Sequence, residues 1–91
     1  MKSILQDEKK CFVCGCEDVQ CHHIYFGPKR RKSERNGFKV WLCWEHHLGT
    51  IGVHGRKGHD LDEFLKKECQ RKFEETHTRE EFMKIIGCSY L

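Results

Sequence analysis

Long apolar runs are missing from this chain. No stretch of about eighteen apolar residues occurs, which excludes a membrane-spanning helix. Mean hydropathy is −0.76. Residues 1–7 hold no apolar centre of a secretory signal, so a cytoplasmic setting is expected. Proline is almost absent, with Pro28 alone in 91 residues. There are no repeats, linkers or low-complexity segments, and a single domain is expected. Cysteine and histidine are instead plentiful, with seven of each. An odd cysteine count without a secretory signal argues for thiolate metal ligands rather than disulfides. A chain this short buries a limited core and commonly adds a staple, here a metal.

Charge is modest overall, with a net +3. Its placement says more. Lys29, Arg30, Arg31, Lys32, Arg35 and Lys39 lie close together with one acid among them, Glu34. A basic run alone is usually a solvated loop. Beside a metal site it suits contact with phosphate, and Arg56 and Lys57 could add to it.

Two cysteines at Cys11-x2-Cys14 read as a zinc knuckle, and Gly15 permits the tight turn after them. A matching pair, Cys43-x2-His46, follows downstream, so a structural zinc on Cys11, Cys14, Cys43 and His46 is expected. Cys16 or Cys21 could replace one of these ligands. A C2H2 finger fits poorly, because about twelve residues should separate its Cys and His pairs.

Residues 20–26 read as a strand that opens on His22-His23. Adjacent strand side chains point to opposite faces. One imidazole can therefore face a metal while the other faces water or substrate. Gly27-Pro28 breaks this strand, a basic loop runs to Asn36-Gly37, and Phe38–Leu42 forms the second strand. Cys43–His47 starts a short helix. His47 lies one residue beyond His46 and points away from the structural zinc, so one helix can serve two metals. A glycine-rich irregular stretch then carries His54.

Asp60-x2-Glu63 reads as a capping box for a helix over 61–75, with Leu61, Phe64, Leu65, Cys69 and Phe73 inward. Thr78-x2-Glu81 caps a second helix with Phe82, Ile85 and Ile86 inward, stopped at Gly87. Tyr90-Leu91 is expected to tuck back. The expected organisation is a loose extension over 1–10, a motif core over 11–55 and a helical tail over 60–91, within one domain over 11–91.

The order of zinc knuckle, His-His strand, basic hairpin and knuckle-helix with an added histidine resembles the HNH (ββα-metal) endonucleases. It is most similar to the small phage and prophage-encoded ones. The segments HHIYFG and LCWEHH…GVH look like the nuclease domain of phage recombination-enhancement nucleases. The resemblance covers roughly residues 11–55. It implies an α+β, zinc-stapled, treble-clef-like ββα-metal domain, here with two C-terminal helices. It also implies divalent-metal-dependent hydrolysis of DNA, leaving 5′-phosphate and 3′-hydroxyl ends.

In that resemblance His22 stands at the first catalytic-metal ligand, often an aspartate, and His23 matches the general base. His47 matches the second metal ligand, and His54 resembles a further histidine that some members add. Asn36 is the candidate for the middle polar residue. His46 replaces a more usual cysteine, and Cys3His zinc is common. A ligand set of imidazoles without carboxylate suits Mn, Ni, Co or Zn better than Mg. The rival expectation is a non-catalytic zinc module of treble-clef or ribbon type that binds DNA. It has no use for His22, His23 and His47 together.

Overall fold

The computed structural model describes residues 2–91. Two antiparallel strands, β1 (Val19–His23) and β2 (Lys39–Cys43), make the only sheet among the described residues. Their register pairs Cys21 with Trp41, His22 with Val40 and His23 with Lys39. β1 ends at His23, earlier than the sequence suggested. Ile24 still donates its N–H to the Phe38 carbonyl (2.9 Å), and Ile24 and Tyr25 turn into the core.

The connection between the strands corrects the expectation of a basic loop. A 3-10 turn (Gly27–Lys29) leads into helix α1 (Arg30–Asn36). Pro28 suits the start of such a turn because its fixed φ is pre-set and its missing N–H is not needed there. Arg, Lys and Glu are good helix formers. Buried Ser33 anchors α1. Its hydroxyl accepts the Tyr25 N–H (3.1 Å) and donates to the Phe38 carbonyl (2.6 Å). Gly37 then stops the helix in the left-handed region, at φ 74°. An added Cβ there would also overlap the Lys2 carbonyl.

Residues 3–12 are more firmly attached than a loose extension. Ser3 donates its hydroxyl to the Lys39 carbonyl. The Trp41 N–H donates to Gln6 Oε1 (2.7 Å). The Phe12 N–H donates to the Trp41 carbonyl (2.8 Å) and the Ile4 N–H to the Gly37 carbonyl (3.0 Å). This segment therefore lies along the outer side of β2.

Helix α2 (Trp44–His47) follows β2 directly, and a tightly coiled loop leads to α3 (His59–Glu74) and α4 (Arg79–Ile86). The Thr78 capping box is present in both directions. The one expected at Asp60 is not. Gly58 occupies the cap of α3 without a side-chain bond, and Asp60 and Asp62 sit in the first turn, where carboxylates favour the helix dipole. Leu65, Cys69 and Phe73 are buried as expected, but Phe64 is 51% exposed. The buried stripe instead takes in Gln70, whose Oε1 accepts the Tyr90 N–H (2.7 Å) and so holds the C-terminal residues down. Tyr25, Phe38, Phe73 and Phe82 close the core with ring centroids 5.4–5.9 Å apart. Burying each ring is worth roughly 1.5–3 kcal/mol. The Tyr25 hydroxyl donates to the Lys66 carbonyl (2.7 Å), tying the core to α3. No helix among the described residues is long and apolar enough to cross a membrane.

Candidate metal centres

Cys11, Cys14, Cys43 and His46 are positioned to hold a metal ion. Cys11 and Cys14 sit in the turn before β1. Cys43 ends β2 and His46 lies on the single turn of α2. The pairing of Val19 with Cys43 and the Phe12–Trp41 hydrogen bond bring the two halves together. Cys14 Sγ lies 3.7 Å from Cys43 Sγ. Neighbouring sulfurs around a tetrahedral zinc with bonds of about 2.3 Å are roughly 3.8 Å apart. His46 Nδ1 lies 3.7 Å from Cys11 Sγ and 3.1 Å from Cys43 Sγ. The Cys11 thiol is lowered to about 6, because backbone donors at Cys43, Cys14 and Val13 outweigh the cost of burial. That places a thiolate ligand within reach of neutral pH. Cys16 and Cys21 fall outside this group. Cys16 is exposed and contributes its carbonyl to the knuckle turn, accepting the Cys11 N–H (2.8 Å). The Cys21 thiol is half-buried, and desolvation raises its pKa.

A second group, His22, His47 and His54, forms on the other side of α2. The three ring centroids stand 5.0–5.2 Å from one another. His22 is 1% exposed, and its Nε2 has no hydrogen-bond partner. A buried imidazole nitrogen left unpaired costs free energy, and a metal ion would satisfy it. Burial, reinforced by His47 and His54, lowers its pKa to about 3. The ring is therefore neutral, the form a metal needs. His47 Nδ1 lies 2.8 Å from Gln20 Oε1. With the amide oxygen as acceptor, Nδ1 carries the proton and Nε2 keeps a lone pair. The donor set and the orphaned nitrogen both fit a divalent ion.

The coiled loop positions His54. Its N–H donates to the His47 carbonyl (3.0 Å), and the Val53 N–H donates to the His46 carbonyl (3.0 Å). Side chains at Gly55 or Gly58 would overlap the backbone of Gly49 or Gly52. The close coiling of this loop thus demands those glycines, and it folds His54 back over α2.

His23, the next residue of β1 after His22, is outside the three-histidine group. Its Nε2 lies 2.8 Å from Glu34 Oε1, and Lys39 Nζ lies 2.6 Å from Glu34 Oε2. Lys39 first, then His23, holds the Glu34 carboxyl down at about 2. A small cleft of about 230 Å³ gathers Cys21, His22, His23, Phe26, Arg30, His47 and His54. All four expected catalytic-site histidines therefore border one opening, with Arg30 at its rim.

Asn36 is not brought there. Its Nδ2 donates to the Lys32 carbonyl (2.8 Å), and it lines a separate hollow with Ile4, Phe73 and His77. The side chain that reaches His23 is Glu34, one helical turn inside the basic run. The basic residues divide as well. Lys39 is committed to Glu34, and Lys29 Nζ approaches Cys88 Sγ (3.9 Å). Arg31, Lys32 and Arg35 are exposed on α1, and Arg56 and Lys57 are exposed beyond His54. No family model matches the chain, and neither the curated proteins nor the solved structures hold a match to it.

Proposed function

We propose that this chain is a metal-dependent DNA endonuclease of HNH type, a zinc-stapled ββα-metal domain. One observation carries the reading. A buried imidazole with an orphaned Nε2 is grouped with two further histidines, and a fourth histidine borders the same cleft without joining the group. A module that only binds DNA through a structural zinc has no need of that arrangement.

The roles follow from placement. His22, His47 and His54 would hold the catalytic ion. Once bound, that ion supplies positive charge to offset the scissile phosphate and the departing oxygen. His23 removes a proton from the attacking water: the O–H bond breaks and an N–H bond forms on the ring. The water oxygen bonds to phosphorus, the P–O3′ bond breaks, and the 3′ oxygen takes its proton from solvent. Arg30, at the cleft rim, is placed to contact the phosphate. Arg31, Lys32, Arg35, Arg56 and Lys57 hold the flanking backbone by charge. None of the seven cysteines is paired in a disulfide, which suits a reducing cytoplasm.

Plasmid nicking with added Mn²⁺, Ni²⁺ or Co²⁺ tests the reading. The wild type is expected to convert supercoiled DNA to open circles. His23→Ala is expected to lose about 10²–10⁴ of that rate, the usual loss for a general base, while still binding DNA. Metal-loaded wild type that binds DNA but never nicks it supports the zinc module instead.

A further inference from the structure

We propose that Glu34 is the positioning residue for His23, fixing its ring so that Nδ1 is the nitrogen that accepts the proton. The inference rests on the endonuclease reading for its catalytic meaning, and on three contacts for its geometry.

His23 Nε2 lies 2.8 Å from Glu34 Oε1. An ionised carboxylate can only accept, so Nε2 carries the hydrogen and Nδ1 keeps the lone pair. The carboxylate is itself held, because Lys39 Nζ binds its other oxygen at 2.6 Å. Lys39 and His23 are neighbours in register terms, since His23 pairs with Lys39 across the sheet. The three side chains thus form a chain from strand to helix to strand, Lys39 to Glu34 to His23. Both ring torsions of His23 are restrained by it. A ring free to rotate would present either nitrogen to the water, and most orientations would miss it. Holding one orientation in advance is the usual way a general base gains efficiency. When Nδ1 takes a proton from water, the ring becomes cationic with Nε2–H still on the carboxylate, and no proton passes to Glu34.

Glu34 is nearly half exposed, with 45% of its side chain accessible, so its replacement should leave the fold intact. It is absent from both groups of metal-binding residues, so its loss should leave the ions in place. Those two facts separate positioning from structure.

The test compares wild type, Glu34→Ala and Glu34→Gln in the zinc-loaded protein. The first readout is the nitrogen-15 NMR spectrum of the His23 ring at mildly alkaline pH. Wild type is expected to show one tautomer, with Nε2 protonated and Nδ1 bare. Glu34→Ala is expected to show a mixture. A wild-type ring protonated at Nδ1, or an unchanged spectrum in Glu34→Ala, overturns the inference, whether or not the protein cuts DNA.

The second readout is Mn²⁺-supported nicking. Glu34→Ala should lose about tenfold to a hundredfold in kcat, comparable to the loss when the hydrogen-bond partner of a metal-ligating histidine is removed, with KM for DNA and calorimetric Mn²⁺ binding unchanged. Glu34→Gln can still accept from Nε2–H through its amide oxygen and should recover part of the loss. A loss confined to KM, or weaker Mn²⁺ binding, refutes the positioning role. Wild type that fails to nick at all counts against the endonuclease reading, and the spectrum alone then decides the ring orientation.

Discussion

Two groups positioned to hold a metal ion share one four-residue helix, and they differ in kind. His46 turns to three cysteine sulfurs and completes a set of four. His47, its neighbour, turns to two more histidines and completes a set of three that borders a cleft. Four protein ligands close a coordination shell, whereas three leave a position for water or substrate. Adjacent residues on a helix point about 100° apart, and that angle alone separates a sealed site from an open one. The first site is therefore expected to stabilise and the second to react.

The sharpest way to break this comparison is at the sealed site. Cys14→Ser should unfold the chain. Binding at such sites is worth on the order of 10 kcal/mol or more, against domain stabilities of about 5–15 kcal/mol. Circular dichroism of the zinc-free variant checks this, and a well-folded spectrum contradicts it. Because α2 carries both sites, the second group should vanish with the first. The converse should fail. His47→Ala should keep its zinc and its fold, lose the second ion in calorimetric titration, and lose cleavage. If His47→Ala instead unfolds as Cys14→Ser does, the two sites are not different in kind.

A smaller effect separates the sites by metal. Three imidazoles without a carboxylate favour Mn²⁺, Ni²⁺ and Co²⁺ over the harder Mg²⁺. Nicking at equal metal concentration should follow that order, while the sealed site keeps zinc throughout. Rates highest with Mg²⁺ would point to oxygen ligands in the open site.

Smallest is the effect of pH. Burial lowers the pKa of His22 to about 3, against about 6.5 in an unfolded chain. The unfolded chain thus binds a proton that the folded chain refuses. The associated stability is complete above about pH 6.5 and is lost as pH falls toward 3. Melting temperature should therefore fall more steeply between pH 7 and 5 in wild type than in His22→Gln, both loaded with zinc. Parallel curves would mean that His22 is not held neutral by the fold.

Much of this comparison was legible in residue spacing. The x2 pairs located the four residues positioned to hold a metal ion, Cys11, Cys14, Cys43 and His46, because thiolate geometry is set by short turns. His22 and His23 separated because strand side chains alternate. What could not be read depended on distant contacts. The basic run looked like a loop because its charges dominate its composition. It is a helix because Ser33, an unremarkable serine in sequence, bridges Tyr25 and Phe38 in the core. Glu34 looked like a lone acid in a basic run. Only the return of the chain through β2 sets it between His23 and Lys39. Asn36 was the better candidate by type, but the helix turns its amide back to the Lys32 carbonyl. His54 was suspected without a mechanism for its return, which comes from glycines packed too closely for any side chain.

The segment along β2 has a consequence for the open edge of the sheet. A two-stranded sheet offers bare backbone on its outer edges, and such an edge can recruit another chain as a further strand. Here the Lys39 carbonyl is taken by Ser3, and the Trp41 N–H and carbonyl are taken by Gln6 and Phe12. Two of these three partners are side chains, and none is part of a strand. They occupy the groups an incoming strand would need and offer no continuing ladder in return. Residues 3–12 thereby cap the outer edge of β2 at Lys39 and Trp41, and the sheet stops at two strands there.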